Sequence, residues 1–138
     1  GYFLAFIKTL FSIKEKQFII DVEGVRIIIT PLIFIVSNTN QQGYNFTVTP
    51  KAKTDDGLLD MFIVENSSYF KNIINVFKIV LGLNFYAGKS IYKKIENLNI
   101  TPQKPIKNIQ IDGENFNVND GIYKIKSVKK TLQLITPS

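Results

Sequence analysis

Gln17-Phe-Ile-Ile-Asp-Val-Glu-Gly-Val-Arg-Ile-Ile-Ile-Thr30 is the stretch on which the fold turns. Its two runs, Gln17–Val22 and Val25–Thr30, are rich in Ile, Val and Phe, the side chains that suit a pleated, half-buried surface. Only Glu23-Gly24 separates them. A two-residue connection ending in Gly suits a tight hairpin turn, because Gly reaches positive φ without strain. The stretch therefore predicts two antiparallel strands. Beyond it, Pro31 punctuates the second run, and Leu32–Val36 is a further apolar β run. Asn38–Gly43 is a polar loop rich in turn formers, Lys53–Gly57 a second loop, and Leu58–Val64 a strand.

On the N-terminal side, Tyr2–Phe11 is apolar nearly all round, with Lys8 as the interruption. This predicts a short buried helix, since no polar face marks it as an interfacial anchor. The segment is too short and interrupted to span a bilayer, and it lacks an initiating Met and a basic lead. The chain reads as starting in the middle of a longer protein. Ser67–Leu81 is the one long helix. Ser67 or Ser68 can cap it, Gly82 fits its stop, and Tyr69, Phe70, Ile73, Ile74, Phe77, Val80 and Leu81 form an apolar stripe, with Lys71 and Lys78 off it.

Short strands follow at Ile91–Ile100, Ile106–Ile111, Asn115–Val118, Ile122–Ile125 and Thr131–Ile135, with Asp112-Gly113 and Asp120-Gly121 as turns between them. Tyr123 and Ile125 alternate with Lys124 and Lys126, as a half-buried strand requires. The pattern predicts a mostly-β sandwich or barrel with one long inserted helix and a short N-terminal helix. At 138 residues, with no linker or repeat, residues 1–138 read as a single domain.

Composition narrows the chemistry. There is no Cys and no His. Disulfides, thiolate zinc sites, imidazole metal sites and Ser-His-Asp or Cys-His catalysis are excluded. A metal must be held by oxygen, which favours Mg²⁺ or Ca²⁺, and a general base must be a carboxylate or a lysine. The net charge of +6 suits an anionic partner such as nucleotide phosphate or an acidic membrane surface. It suits an ordinary basic protein equally well. Lys89, Lys93, Lys94, Lys104, Lys107, Lys124, Lys126, Lys129 and Lys130 form either a basic face for phosphate headgroups or a solvated surface. No interleaved aromatic stacking motif accompanies them, so nucleic acid is not an expected partner.

Two acidic clusters carry the candidate chemistry. Asp55-Asp56-Gly57 places adjacent carboxylates in a loop, where one of them, with backbone carbonyls and water, makes an oxygen shell for a hard cation. In Asp112-Gly113-Glu114, two carboxylates two residues apart point the same way if the chain stays extended, and one can then act as a base. By spacing alone, each is also an ordinary turn. No Gly-rich phosphate loop is present, so this chain has no evident cradle for ATP phosphates.

The segment Val36-Ser-Asn38 … Gly43 … Pro50-Lys-Ala52-Lys53-Thr54-Asp55-Asp56-Gly57-Leu58-Leu59-Asp60, followed by a β run, resembles the lipid kinase family that includes bacterial diacylglycerol kinases and sphingosine kinases. Ile109-Gln-Ile-Asp112-Gly113-Glu114 resembles that family's Gln-x-Asp-Gly-Glu strand turn, and the two motifs stand in the family's order. The resemblance implies the C-terminal β-sandwich domain of a two-domain enzyme. Its ATP-binding N-terminal domain, with a Gly-Gly-Asp-Gly-Thr motif, is not in this chain. The implied activity is ATP-dependent phosphorylation of a lipid hydroxyl, most simply diacylglycerol to phosphatidic acid. Glu114 would be the proton acceptor with Asp112 beside it. The implied cofactors are ATP and Mg²⁺, with a structural Mg²⁺ held by the Asp56 carboxylate and the backbone carbonyls of Lys53 and Leu58. The resemblance also implies a cytoplasmic enzyme peripheral to the inner face of the membrane, often dimeric, and the isolated chain is expected to be inactive. A non-catalytic module that binds lipid or a membrane surface is the alternative. A nucleic-acid-binding β-barrel is a third reading.

Overall fold

The computed structural model describes residues 16–40, 47–112, 114–119 and 121–128. The expected helix at 2–11, the expected strand at 131–135, part of the loop at 38–43, and Lys129 and Lys130 lie outside them. Nine strands, one α-helix and one 3-10 turn are described. The strands are β1 (Phe18–Val22), β2 (Val25–Ile29), β3 (Pro31–Ser37), β4 (Leu59–Glu65), β5 (Ser90–Ile95), β6 (Asn97–Pro102), β7 (Asn108–Ile111), β8 (Glu114–Asn117) and β9 (Tyr123–Lys126). The helix α1 spans Tyr69–Val80, and the 3-10 turn spans Asn84–Tyr86.

β1 and β2 form the expected hairpin, with Val22 opposite Val25. Glu23 and Gly24 adopt φ of 53° and 83°, the pair of left-handed residues that a two-residue turn needs to follow the twist of its strands. Asp21 Oδ1 accepts the Gly24 N–H and closes the turn. The hairpin belongs to a four-stranded antiparallel sheet ordered β2-β1-β6-β9. A second, three-stranded sheet is ordered β3-β4-β5, and among the described residues β7 and β8 pair only with each other. Pro31 opens β3, and the register slips between Pro31 and Ile33, where the missing N–H is tolerated.

Ile91–Ile100 is not one strand. The chain leaves β5 at Ile95, passes Glu96 and enters β6, which belongs to the other sheet: β5 pairs with β4, whereas β6 pairs with β1. The corner joins the two layers, with Ile95 and Leu98 both buried on either side of it.

The apolar core lies between the two sheets. Ile20, Val22, Ile29, Met61, Ile63, Ile95 and Leu98 are its buried members, with Phe18, Phe34, Ile100 and Ile125 packed around them. A second cluster covers the other face of the three-stranded sheet, where Val48, Phe62, Val64, Ile79 and Ala87 meet. β4 is thus buried on both faces, alternate residues serving different cores, and this is why Met61–Val64 is a continuous apolar run. Neither sheet closes on itself among the described residues, so the fold is an open sandwich with a helix on one outer face and not a barrel.

The helix stops at Gly82 as expected, but its N-terminal cap and its orientation depart from expectation. Ser68 occupies the N-cap but makes no side-chain cap bond. Asn72 instead ties the chain before the helix to its first turn: its Oδ1 accepts the Ser67 N–H, and its Nδ2 donates to Asn66 Oδ1 and to the Ser67 carbonyl. At the other end the Gly82 N–H bonds to the Ile79 carbonyl and the Leu83 N–H to the Lys78 carbonyl, the paired closure of a helix ending in a left-handed residue. The inward face is Asn75, Val76 and Ile79. Most of the sequence-read stripe points away from the sheet: Phe70 is 77% exposed, Leu81 71%, Ile74 53% and Phe77 50%. The buried side is the one that completes the second core, where Ile79 meets Val48, Phe62, Val64 and Ala87. Beside it Gly88 packs so closely that a Cβ there would stand 2.6 Å from Asn75 Nδ2.

Candidate functional site

Asp60 stands in the run Leu59-Asp60-Met61-Phe62 and is fully buried. A buried carboxylate costs several kcal/mol unless it is paired and hydrogen-bonded. Both of its oxygens are engaged. Oδ1 accepts the Tyr92 hydroxyl at 2.7 Å, and Oδ2 accepts the Lys94 ammonium at 3.2 Å. The sheet dictates the second contact, because Asp60 and Lys94 are direct cross-strand neighbours on β4 and β5.

Lys94 reaches onward to the Lys53–Leu58 loop. Its Nζ lies 2.6 Å from Asp56 Oδ2, and Asp56 Oδ1 accepts the Leu58 N–H at 2.9 Å. One ammonium therefore joins the loop to the buried carboxylate of the central strand. Ser127 adds a second tether, its hydroxyl donating to the Gly57 carbonyl at 2.7 Å. Tyr92 ties in a third segment, since its oxygen accepts the Lys51 N–H, and its ring packs against Phe62 and Phe85. Lys51 Nζ stands 4.8 Å above the Phe85 ring.

The electrostatics follow these contacts. The Lys94 ammonium, then the Leu58 N–H, hold the Asp56 carboxyl below the usual carboxylate range. Asp56, then Asp60, push Lys94 above the ordinary lysine range against the effect of burial. Burial, and then the bond to Asp60, raise the Tyr92 hydroxyl far out of the physiological range, so it remains a donor. Because the Asp56 value is lower when folded, its contribution to stability is present above the unfolded value and is lost as pH falls through the folded one. The Lys94 value is raised, so its contribution is lost only as pH rises through its folded value. The contact is intact across neutral pH. Acidification below about pH 4 should lower the Tm of wild type more than that of Asp56→Asn, which has no carboxylate to protonate. Thermal melts followed by circular dichroism from pH 7 to about pH 3 check this.

The second cluster is built differently. Asp112 adopts φ of 50° in the turn between β7 and β8, a left-handed conformation that Asp tolerates. The chain is therefore not extended at Asp112, which departs from the extended backbone that would point its carboxylate the same way as that of Glu114. Glu114 opens β8 directly opposite Ile111. Ile111 is 49% exposed and Phe116 44%, and both share the Glu114 face of the hairpin, one by cross-strand pairing and the other by two-residue spacing. Among the described residues, no hydrogen bond or ion pair connects this hairpin to the Asp56 loop.

The basic face thins out. Lys94 is committed to Asp56 and Asp60, Lys93 pairs with Glu23 at 2.8 Å, and Lys89 lies 3.7 Å from Glu65. Lys104, Lys107, Lys124 and Lys126 are exposed. Sequence reasoning singled out Asp56 and Lys94 separately but missed that they meet, and it assigned no partner to Asp60, Tyr92 or Ser127. The available signal was Asp60 itself, a charge set directly before the apolar run Met61–Val64, which demands a counter-ion from a neighbouring strand.

No curated protein sequence matches the chain. Among solved structures, a proposed diacylglycerol kinase from Bacillus anthracis strain Sterne is similar at a TM-score of 0.70 and 19% identity, covering 90% of this chain and 40% of that one. A second structure, described as a diacylglycerol kinase from the same organism, gives a TM-score of 0.62 at 19% identity, covering 94% of this chain and 44% of that one. At such identity these likenesses concern the fold, and the chain spans less than half the length of the proteins it resembles. The family model for the YegS C-terminal NAD kinase beta sandwich-like domain matches residues 1–129. With both acidic motifs inside that match and the sandwich described above, the chain belongs to the family of YegS C-terminal, NAD kinase beta sandwich-like domains.

Proposed function

We propose that this chain is the lipid-side domain of an ATP-dependent lipid kinase, with diacylglycerol as the acceptor. The observation that carries the reading is the β7–β8 hairpin, where the Glu114 carboxylate stands on the same exposed face as Ile111 and Phe116. A carboxylate beside apolar side chains suits an amphiphile whose hydroxyl must be deprotonated while its hydrocarbon stays out of water. In the reaction, the lipid oxygen bonds to the transferred phosphorus as the bond to the nucleotide oxygen breaks, and Glu114 takes the hydroxyl proton. Asp112 orients the hydroxyl from the turn. Phosphoryl transfer depends on positioning and charge stabilisation, and Mg²⁺ arriving with the nucleotide would neutralise phosphate charge. A nucleotide domain outside this chain would hold ATP, at the cytoplasmic face of the membrane. Among the described residues, no helix is long and apolar enough to cross a membrane.

A non-catalytic module for lipid surfaces is the second reading. The exposed Phe70, Ile74, Phe77 and Leu81 on a helix that also carries Lys71 and Lys78 favour it. One assay separates the two. The full-length protein, given labelled ATP and vesicles containing diacylglycerol, a sphingoid base or undecaprenol, should phosphorylate diacylglycerol, while the 138-residue chain alone should not. Vesicle binding by the full-length protein with no phosphorylated product from any acceptor would favour the module.

A further inference from the structure

The oxygen atoms of the Lys53–Leu58 loop have the chemistry for a hard cation: a carboxylate at Asp56 and backbone carbonyls at Lys53 and Leu58. The geometry around Asp56 does not fit one. Its Oδ1 accepts the Leu58 N–H, and its Oδ2 lies 2.6 Å from the Lys94 ammonium. A divalent ion on this carboxylate would stand against a positive charge a few ångströms away, at a position where Mg²⁺ demands a near-ideal octahedron. The same ammonium also serves Asp60, which is fully buried and has no other cation among the described residues. Moving Lys94 aside to admit a metal would strip that carboxylate of its counter-ion.

We infer that Lys94 is the resident cation of this loop: its ammonium bridges Asp56 and Asp60 in the place of a divalent metal, and the loop is held without one. Three features make the exchange workable. The cross-strand register of Asp60 and Lys94 delivers the ammonium to a set position. The two carboxylates come from different segments, so a single charge joins loop to sheet. The Ser127 hydroxyl on the Gly57 carbonyl supplies a neutral second tether that no metal is needed to provide. Any requirement for Mg²⁺ in catalysis then arises on the nucleotide side alone. The inference does not rest on the kinase reading, and its test involves no phosphoryl transfer.

The test compares wild type, Lys94→Met and Lys94→Arg by thermal melting in EDTA and in millimolar Mg²⁺, with Mn²⁺ binding followed by electron paramagnetic resonance. Wild type should melt at the same temperature in both solutions and bind no Mn²⁺ that Asp56→Asn abolishes. Lys94→Met leaves two carboxylates that one atom could reach. It should melt lower than wild type in EDTA and recover part of the loss in Mg²⁺, while Lys94→Arg should stay indifferent to the metal. The inference is overturned if wild type melts lower in EDTA and Asp56→Asn removes the difference. It is equally overturned if Lys94→Met matches wild type in EDTA, or melts low without recovery in Mg²⁺, which would make Lys94 an ordinary ion-pair partner. Should Lys94→Met fail to fold, the wild-type Mn²⁺ measurement decides by itself.

Discussion

Turnover about 10²–10⁴-fold below wild type is the result the proposed kinase reading expects when Glu114 is replaced by Gln in the full-length protein. The substitution keeps side-chain size and removes the ability to accept a proton. Glu114 is exposed and pairs with Ile111 through the backbone, so the hairpin should be unaffected. Melting temperature and KM for ATP should therefore stay at wild-type values while kcat falls. Asp112→Asn should cost less. It lies in the turn at φ of 50°, where Asn is also well tolerated, and the orienting role proposed for it is worth less than that of the proposed proton acceptor. If steady-state assays on diacylglycerol vesicles give both variants wild-type kcat, the roles assigned to this hairpin are wrong.

The largest effect on stability is expected at Phe62. Truncation to Ala should cost about 3–5 kcal/mol, a large share of the 5–15 kcal/mol (roughly) that holds a domain of this size together. Phe62 is fully buried on the helix side of β4. Its neighbours cannot move in to fill the space: Tyr92, with its ring 6.1 Å away, is pinned by its hydroxyl bond to Asp60, and Ile79 belongs to a helix fixed at both ends. Ile28 is as apolar but 63% exposed on β2, and Ile28→Ala should stay within about 0.5 kcal/mol of wild type. Urea unfolding of both variants at neutral pH checks the contrast. Equal losses at the two positions would mean that the second core contributes little.

Local features were readable because their causes are local. The Glu23-Gly24 turn is read from a two-residue connection ending in Gly, which reaches positive φ freely, and the Tyr123–Lys126 alternation from the two-residue period of a strand. The corner at Glu96 was also legible in principle. Ile91 and Ile95 stand at odd positions, whereas Leu98 and Ile100 stand at even ones, so the apolar face slips by one residue where the chain changes sheets. The helix was readable in extent and not in orientation. Apolar residues ring most of it, and the buried side is the one that meets Val48, Phe62 and Val64, residues distant in sequence.

By itself, then, the sequence determined the β-rich class, the hairpin turns, the extent of the helix and the two acidic motifs, because each follows from neighbouring residues and the period of the chain. Only the tertiary structure decided which β runs share a sheet, which face of the helix is covered and how the charges are matched. The Asp56–Lys94–Asp60 bridge shows why. Lys94 lies 38 residues from Asp56, and it becomes that loop's counter-ion only because β4 and β5 pair in a register that sets Lys94 opposite Asp60. A charge read along the chain has no partner until the sheet supplies one.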